Sequence, residues 1–445
     1  MNVIIAGAGK VGYLIAKHLM ANNDVMVIDK NEDAIRQIQE KLDVLAICGD
    51  TEDHHTYESV SSEIDLFIAV TDSDEVNMIA ALMLDKIATV KKKIIRLKNS
   101  FFNDELIKVR LGISDCVIPS FEAAQPFKYL IDFPHARNVK SFEYTKALLI
   151  SIKIPEDCQT MIIKSLTQNM NHKLVVAGIE RAGVFSVPED IDILQANDLV
   201  YFYAYPSAIK ELKFGTFNAE NNDEIKNCLI FGADNLGIEI AKVLLKKDLN
   251  IQLLDKDLKK CERANLILKD KVTVIKSTYG LDHSIGNDGV MPDLFIVASP
   301  NDEYNIAKCM EAKDNNVKKV VAINNDMAYS KLMRNLNLEV VRGEKINAYY
   351  SILEKIESSN IVIKRQYCGG EGVLMFRKIF HASNLVGNYL PLPQKLQNKG
   401  IFYVQREQQL FPYSTIDVFK KNDVIITFSK SEDAEVLSKW LHSNL

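Results

Sequence analysis

Residues 65–78 read DLFIAVTDSDEVNM, and residues 293–306 read DLFIVASPNDEYNI. The two phrases stand 228 positions apart in a chain of 445 residues. A glycine loop recurs at nearly the same spacing, as GAGKVG from Gly7 and GADNLG from Gly232. A repeat of this period means two copies of one folding unit, so every motif has to be read twice.

A chain of this length exceeds one hydrophobic core and implies several domains. Its 47% hydrophobic and 25% charged residues are ordinary for a globular protein. A net charge of −5 argues against a nucleic-acid binder, which usually carries a basic surplus. No apolar run of about 18 residues is present, so no transmembrane helix is expected. Apolar residues begin at Val3 and the glycine loop at Gly7, so no leader peptide is expected. The seven cysteines are scattered and none forms CxxC, which predicts reduced thiols and no zinc site.

Apolar runs and helical stretches alternate along the first third. NVIIA, VMVID, VLAICGD, DLFIAVT, KKIIRL and DCVIP read as buried strands. Val11, Ile15 and Leu19 share one face of a helix between the first two. Six short strands separated by helices predict a Rossmann-type, doubly wound parallel sheet. From about residue 140 the pattern becomes β-rich, as in a small α+β module. The polar stretch TFNAENNDE (216–224) reads as a linker, after which the doubly wound pattern restarts and a second β-rich module follows. The expected layout is 1–133, 140–215, 225–345 and 358–445, large–small–large–small. The small modules also repeat: Arg181 aligns with Arg406, and Asn197-Asp198 with Asn422-Asp423.

Gly7, Gly9 and Gly12 form G-x-G-x-x-G between a strand and a helix. The first glycine suits a tight turn, the second lets a pyrophosphate approach the backbone, and the third lets the helix pack closely. The helix N-terminus offers unpaired N–H groups to phosphate. Asp29 ends the second strand, where a carboxylate accepts bonds from ribose hydroxyls and repels a 2′-phosphate. This favours NAD(H) or an adenosine ligand over NADP(H). Thr71 and Asp72 follow the fourth strand at the carboxyl ends of the sheet, while Ser73 or Asp74 can cap the next helix. Arg96 ends the fifth strand and either neutralises phosphate or makes a surface ion pair.

The second loop keeps Gly232 and Gly237 but carries Asp234 in the middle position. A side chain and a negative charge there oppose a pyrophosphate, although Asp255 still ends the second strand. Weak or absent dinucleotide binding is expected in this half, unless a shifted ligand tolerates the change.

Signs of catalysis are poor. The YxxxK pairs Tyr13/Lys17 and Tyr304/Lys308 lie on helices where no reductase places its acid. His54 and His55 are adjacent, and neighbours on a helix are expected to point apart. The small modules carry no His/Asp/Cys constellation. A nucleotide sensor, without catalytic or metal-ligating residues, is the expected class. The rival reading is an NAD-dependent oxidoreductase.

Taken together, GAGKVG, Asp29, Gly49-Asp50, AVTDSDEVNM, Arg96 and the pattern of Arg181, Pro188 and Asn197-Asp198 resemble the RCK family, regulators of potassium conductance, in its tandem, Trk-type form. The resemblance spans the whole chain. It implies two Rossmann-type domains, each followed by a small RCK C-terminal domain. By the same resemblance Gly7, Ala8, Gly9, Lys10, Val11, Asp29, Thr71, Asp72 and Arg96 match NAD-contacting positions, with ATP and ADP as further ligands. It also implies a homotetrameric ring at the cytoplasmic face of a membrane potassium transporter subunit of Trk type, or of another cation channel. Some relatives carry a glutamate where this chain has Ser120, with Glu122 nearby, which puts an intersubunit cation site in doubt. The helix over 120–133 is expected to break or begin at Pro126.

Overall fold

The computed structural model describes residues 1–58, 60–102, 104–142, 145–168, 173–212, 225–277, 291–357, 362–380 and 383–443. The expected linker at 216–224 lies outside the described residues. The first lobe runs β1 (Asn2–Ala6), α1 (Lys10–Leu19), β2 (Asp24–Asp29), α2 (Glu32–Lys41), β3 (Leu45–Cys48), β4 (Glu63–Ala69), α3 (Asp74–Ile87), β5 (Thr89–Arg96), α4 (Glu105–Arg110), β6 (Asp115–Val117) and α5 (Pro119–Asp132). Its six strands are ordered β3-β2-β1-β4-β5-β6 and pair in parallel. The order reverses between β1 and β4, the place where ligands bind in such sheets.

Strands buried on both faces have to be apolar throughout, which is why they read as continuous runs. Val3, Ile5, Val27 and Ile68 face α1, which buries Val11, Ile15 and Leu19. Ile4, Ile28, Phe67 and Ile95 share the opposite core with Ala80, Ala81 and Leu84 of α3.

The first small module follows as β7 (Ala136–Phe142), β8 (Thr145–Lys153), β9 (Met161–Ile162), α6 (Ile163–Gln168), β10 (Leu174–Arg181), β11 (Val184–Ser186), β12 (Ile193–Leu194), β13 (Leu199–Ala204) and α7 (Pro206–Ile209). Its main sheet is antiparallel, ordered β11-β10-β13-β8-β7.

The second lobe comprises β14 (Asn227–Phe231), α8 (Asn235–Leu244), β15 (Asn250–Asp255), α9 (Leu258–Leu268), β16 (Thr273–Lys276), β17 (Leu294–Val297), α10 (Asp302–Asp314), β18 (Lys319–Asn324), α11 (Ser330–Asn335), β19 (Glu339–Arg342) and α12 (Glu344–Glu357). It repeats the first strand order as β16-β15-β14-β17-β18-β19. The second small module holds β20 (Val362–Tyr367), β21 (Gly372–Lys378), α13 (Gln394–Gln397), β22 (Ile401–Arg406), β23 (Gln409–Pro412), β24 (Val424–Lys430) and α14 (Ala434–His442), with sheet order β20-β21-β24-β22-β23. The chain is thus an α/β protein with two Rossmann-type parallel sheets and antiparallel sheets beside them.

Contacts divide the chain into two compact units. One holds Met1–Gln125, Asn227–Tyr329 and Val341–Ile356, and the other holds Pro126–Lys226, Ser330–Val340 and Glu357–Leu445. Within the first unit, Ala348 and Ile352 of α12 are buried in the core of the first lobe. Within the second, both small modules share one core, in which Tyr367 donates its hydroxyl to the Ala177 carbonyl at 2.6 Å.

Helix α5 differs from its expected form: it runs unbroken from Pro119 to Asp132 with Pro126 inside it. Ala123, Ala124, Phe127 and Leu130 are all buried, so packing holds the helix together across the missing N–H. Among the described residues no helix is long and apolar enough to cross a membrane.

Candidate functional site

The three glycines of the first loop have separate physical tasks. Gly7 sits at φ +112°, where a side chain is strained, and a Cβ there would lie 3.0 Å from the Thr71 nitrogen. A Cβ on Gly12 would lie 1.9 Å from the Gly7 oxygen, so α1 packs directly on the turn. Gly9 is different. Its φ of −64° suits any residue, and a Cβ would meet nothing within 4 Å. The fold itself does not require a glycine at this position. What the missing side chain leaves is open space beside the first turn of α1.

That turn also lacks an internal cap. Helix α2 is capped by Asn31, which accepts from the Ala34 N–H, and α3 by Ser73, which accepts from the Val76 N–H. Helix α1 has no side-chain cap and no acid in its first turn. Its first N–H groups and positive partial charge are left for an external acceptor.

Asp29 is half-buried and already oriented. One carboxylate oxygen accepts from the Ala8 N–H at 2.6 Å, the other from the Asn31 N–H at 2.8 Å. Lone pairs remain on both oxygens for a hydroxyl donor. Across the switch point, Thr71 is clamped by Asn77. The Thr71 N–H and hydroxyl both donate to Asn77 Oδ1, at 3.0 and 2.7 Å. The Asn77 amide donates in turn to the carbonyls of Thr71 and Arg96, at 3.2 and 2.8 Å.

Arg96 lies in this crevice with its side chain 11% exposed. Its Nη1 is 3.3 Å from Asp72, which is 89% exposed, and its buried Nε has no partner. Lys98 donates to the Asp72 carbonyl at 2.5 Å. Asp74 is buried and pins the chain after β5 by accepting from the N–H groups of Lys98 and Asn99, at 2.7 and 2.9 Å. Ser73 is therefore the cap of α3, and Asp74 is a strut. An orphaned guanidinium nitrogen, an uncapped helix start and an open Gly9 all stand at the carboxyl end of the first sheet. Backbone donors at a helix start and a nearby cation are the chemistry that a pyrophosphate takes.

The structure brings Gly7, Ala8, Gly9, Lys10, Val11, Asp29, Thr71, Asp72 and Arg96 to the carboxyl end of one sheet. Val11 does so as a buried anchor of α1. Sequence reasoning passed over Asn77 and Lys98. The repeat carried the signal for the first, since Asn77 and Asn305 are both the final residue of DExN.

The second lobe copies the framework without the cations. Gly232 has the same φ of +112°, and a Cβ on Gly237 would lie 1.8 Å from the Gly232 oxygen. Asp255 accepts from the Ala233 N–H, Ser299 bonds Asn305, and Asn305 donates to the Ile323 carbonyl at 2.8 Å. Asp302 accepts from the Asn325 N–H at 2.7 Å. These bonds align Ile323 with Arg96 and Asn325 with Lys98, so both cations are gone. Asp234 starts α8 with φ −73°, nearly the torsion of Gly9. Its carboxylate is turned onto Lys260 at 2.7 Å, and neither that group nor any other side chain caps α8. Asp255 is only 6% exposed.

His54 and His55 do not point apart as expected. They form part of a 3₁₀ turn over His54–Tyr57, with ring centroids 3.8 Å apart, and their ligand atoms lie within 4.8 Å of each other and of Asp53. All three side chains are exposed, and His55 is engaged by Glu58 at 2.6 Å, which raises its pKa. Ser120 is buried, and Glu122 accepts from Ser351. All seven cysteines are free thiols, and burial pushes Cys116 up to about 11 and Cys309 to about 12.

The TrkA-N domain model matches residues 3–119 and again residues 228–342. A Trk system potassium uptake protein TrkA homolog from Archaeoglobus fulgidus is 26% identical, across 99% of this chain and 99% of that protein. Among solved structures, a GsuK channel bound to NAD covers 99% of this chain and 78% of its own at a TM-score of 0.61 and 16% identity. A GsuK bound to ADP covers 81% and 70% at a TM-score of 0.51 and 14% identity. The structural likenesses concern the fold. The paired sequence match covers more than half of the residues, and by it the chain belongs to the TrkA-N domain family, whose domain it carries twice.

Proposed function

We propose that this chain is a nucleotide-sensing regulatory subunit of a Trk-type potassium uptake system, and that its first lobe binds NAD(H). The observation that carries the site is the pairing of an uncapped α1 beside the open Gly9 with the unsatisfied Nε of Arg96. Asp29 would accept the ribose hydroxyls. The N–H groups of α1, with Arg96 and Lys98, would hold the phosphates, and Thr71 would sit against the ligand at the switch point. ATP and ADP share the adenosine and phosphate chemistry and are second ligands of the same crevice in this reading; GsuK, a structural neighbour, has a structure bound to ADP. The full-length relation to a protein named for potassium uptake supports the transport assignment.

In this reading the chain assembles into a homotetrameric ring on the cytoplasmic face of a membrane potassium-translocating subunit. Ligand exchange in the crevice biases two arrangements of the ring. A ligand shifts that balance only by binding the two states unequally. A coupling of roughly 1–3 kcal/mol per site, summed over a ring, is enough to gate a partner.

Calorimetry with NAD, NADH, ATP and ADP on the wild type and on Gly9→Asp tests the site. The fold tolerates the substitution, since Asp234 holds the equivalent torsions. We expect NAD(H) affinity to fall by at least about tenfold, the equivalent of one lost charged hydrogen bond. Unchanged affinity in a folded variant would place the nucleotide elsewhere.

A further inference from the structure

We propose that Asp326, a residue of the second lobe, sets the ligand selectivity of the first lobe's crevice by holding Lys10 until a ligand phosphate displaces it. The proposal rests on the nucleotide reading above and goes beyond it, because it gives the second lobe a direct part in the first site.

Lys10 is the first residue of α1, next to the open Gly9. Its ammonium is paired with a carboxylate oxygen of Asp326, two residues past the end of β18. Both residues belong to the same compact unit. The other oxygen of Asp326 accepts from the Ala328 N–H at 3.0 Å, which fixes the carboxylate in its turn. Asp326 is held below the usual carboxylate range, chiefly by its bond to Lys10. The charge is therefore present at every physiological pH.

The first lobe presents Lys10, Arg96 and Lys98 at its crevice, and the second meets the first of these with Asp326. Side-chain exposures of 40% for Lys10 and 37% for Asp326 leave the bridge open to exchange. A phosphate carrying full negative charge competes for Lys10. A nucleoside without phosphate does not, and leaves the bridge intact. Phosphate binding thus costs the loss of one contact between the lobes, and ligand identity is converted into a change at their junction.

The test compares ADP, NADH and adenosine binding to the full chain at low ionic strength, in the wild type, Asp326→Asn, Lys10→Gln and the double variant. Asparagine keeps the acceptor for Ala328 and so preserves the turn. Asp326→Asn is expected to tighten ADP and NADH by roughly two- to fivefold, the range of one partly exposed ion pair. Adenosine affinity should stay unchanged, and the gain should vanish when Lys10 is already glutamine. Added salt should shrink the difference. If ADP and adenosine respond alike, or neither responds while the wild type binds ADP, Asp326 has no such role. A wild type that binds none of the three ligands would remove the nucleotide reading, and this one with it.

Discussion

Asn77 is the residue that joins the two sides of the first crevice. Its amide satisfies two carbonyls on neighbouring strand ends and its oxygen accepts two bonds from Thr71. Replacing it with aspartate keeps the size and the acceptor, but sets an oxygen against the carbonyls of Thr71 and Arg96. The protonated carboxyl restores one donor, whereas the ionised form restores none. The folded state therefore raises the pKa of the new carboxyl and binds more protons than the unfolded state. Stability relative to wild type should be best below the unfolded value of about 3.9 and fall as pH rises through the raised one. Thermal unfolding at pH 5 and pH 8 should show a deficit that widens at pH 8, by about 1–3 kcal/mol. A deficit equal at both pH values would mean that the amide is not the clamp. Much at this scale is legible in the sequence, since the spacing of Gly7 and Gly12 assigns one a turn and the other a close approach. The orphaned Nε of Arg96 is not legible there, because burial of a single nitrogen depends on packing between distant segments.

The strands are the most legible elements. Runs such as VIIA at residues 3–6 and LFIA at residues 66–69 are apolar at every position because both faces of the first parallel sheet are packed. The termini of helices carry finer information. Helices α2, α3, α9 and α10 are capped by the side chains of Asn31, Ser73, Asp257 and Asn301, while α1 and α8 are not. Both uncapped starts follow directly on the glycine loops, at the carboxyl end of each sheet. Asp234 obscures this in the sequence, since aspartate is a preferred cap yet here bonds Lys260 instead. Pro126 is illegible for the opposite reason: its local rule is overridden by burial of the residues around it. Pro126→Ala should therefore restore a helical N–H and remove a ring clash in α5. We expect a gain of about 1–3 kcal/mol, read as a higher urea midpoint. A loss of stability would show that the proline ring itself fills packing space that alanine leaves empty.

For the whole molecule, duplication has produced two frameworks of the same backbone and only one set of cations. The differences include Gly9 against Asp234, Lys10 against Asn235, Arg96 against Ile323, and Lys98 against Asn325. These are the positions where phosphate charge would be met, while the glycine turn, the Asn77/Asn305 clamp and the carboxylates of Asp29 and Asp255 that hold the loop N–H are retained in both. Asp326 of the second lobe is set against Lys10 of the first. Stoichiometry follows. Calorimetric titration with NADH should give one site per chain. Asp234→Gly should leave that number at one, because opening the loop restores neither Arg96 nor Lys98 to the second crevice and Asp255 stays buried. Two equivalent sites in the wild type would refute the division of roles. A second site appearing only in Asp234→Gly would show instead that backbone N–H groups alone hold the phosphates, and that the cations of the first lobe act mainly in communication with the second.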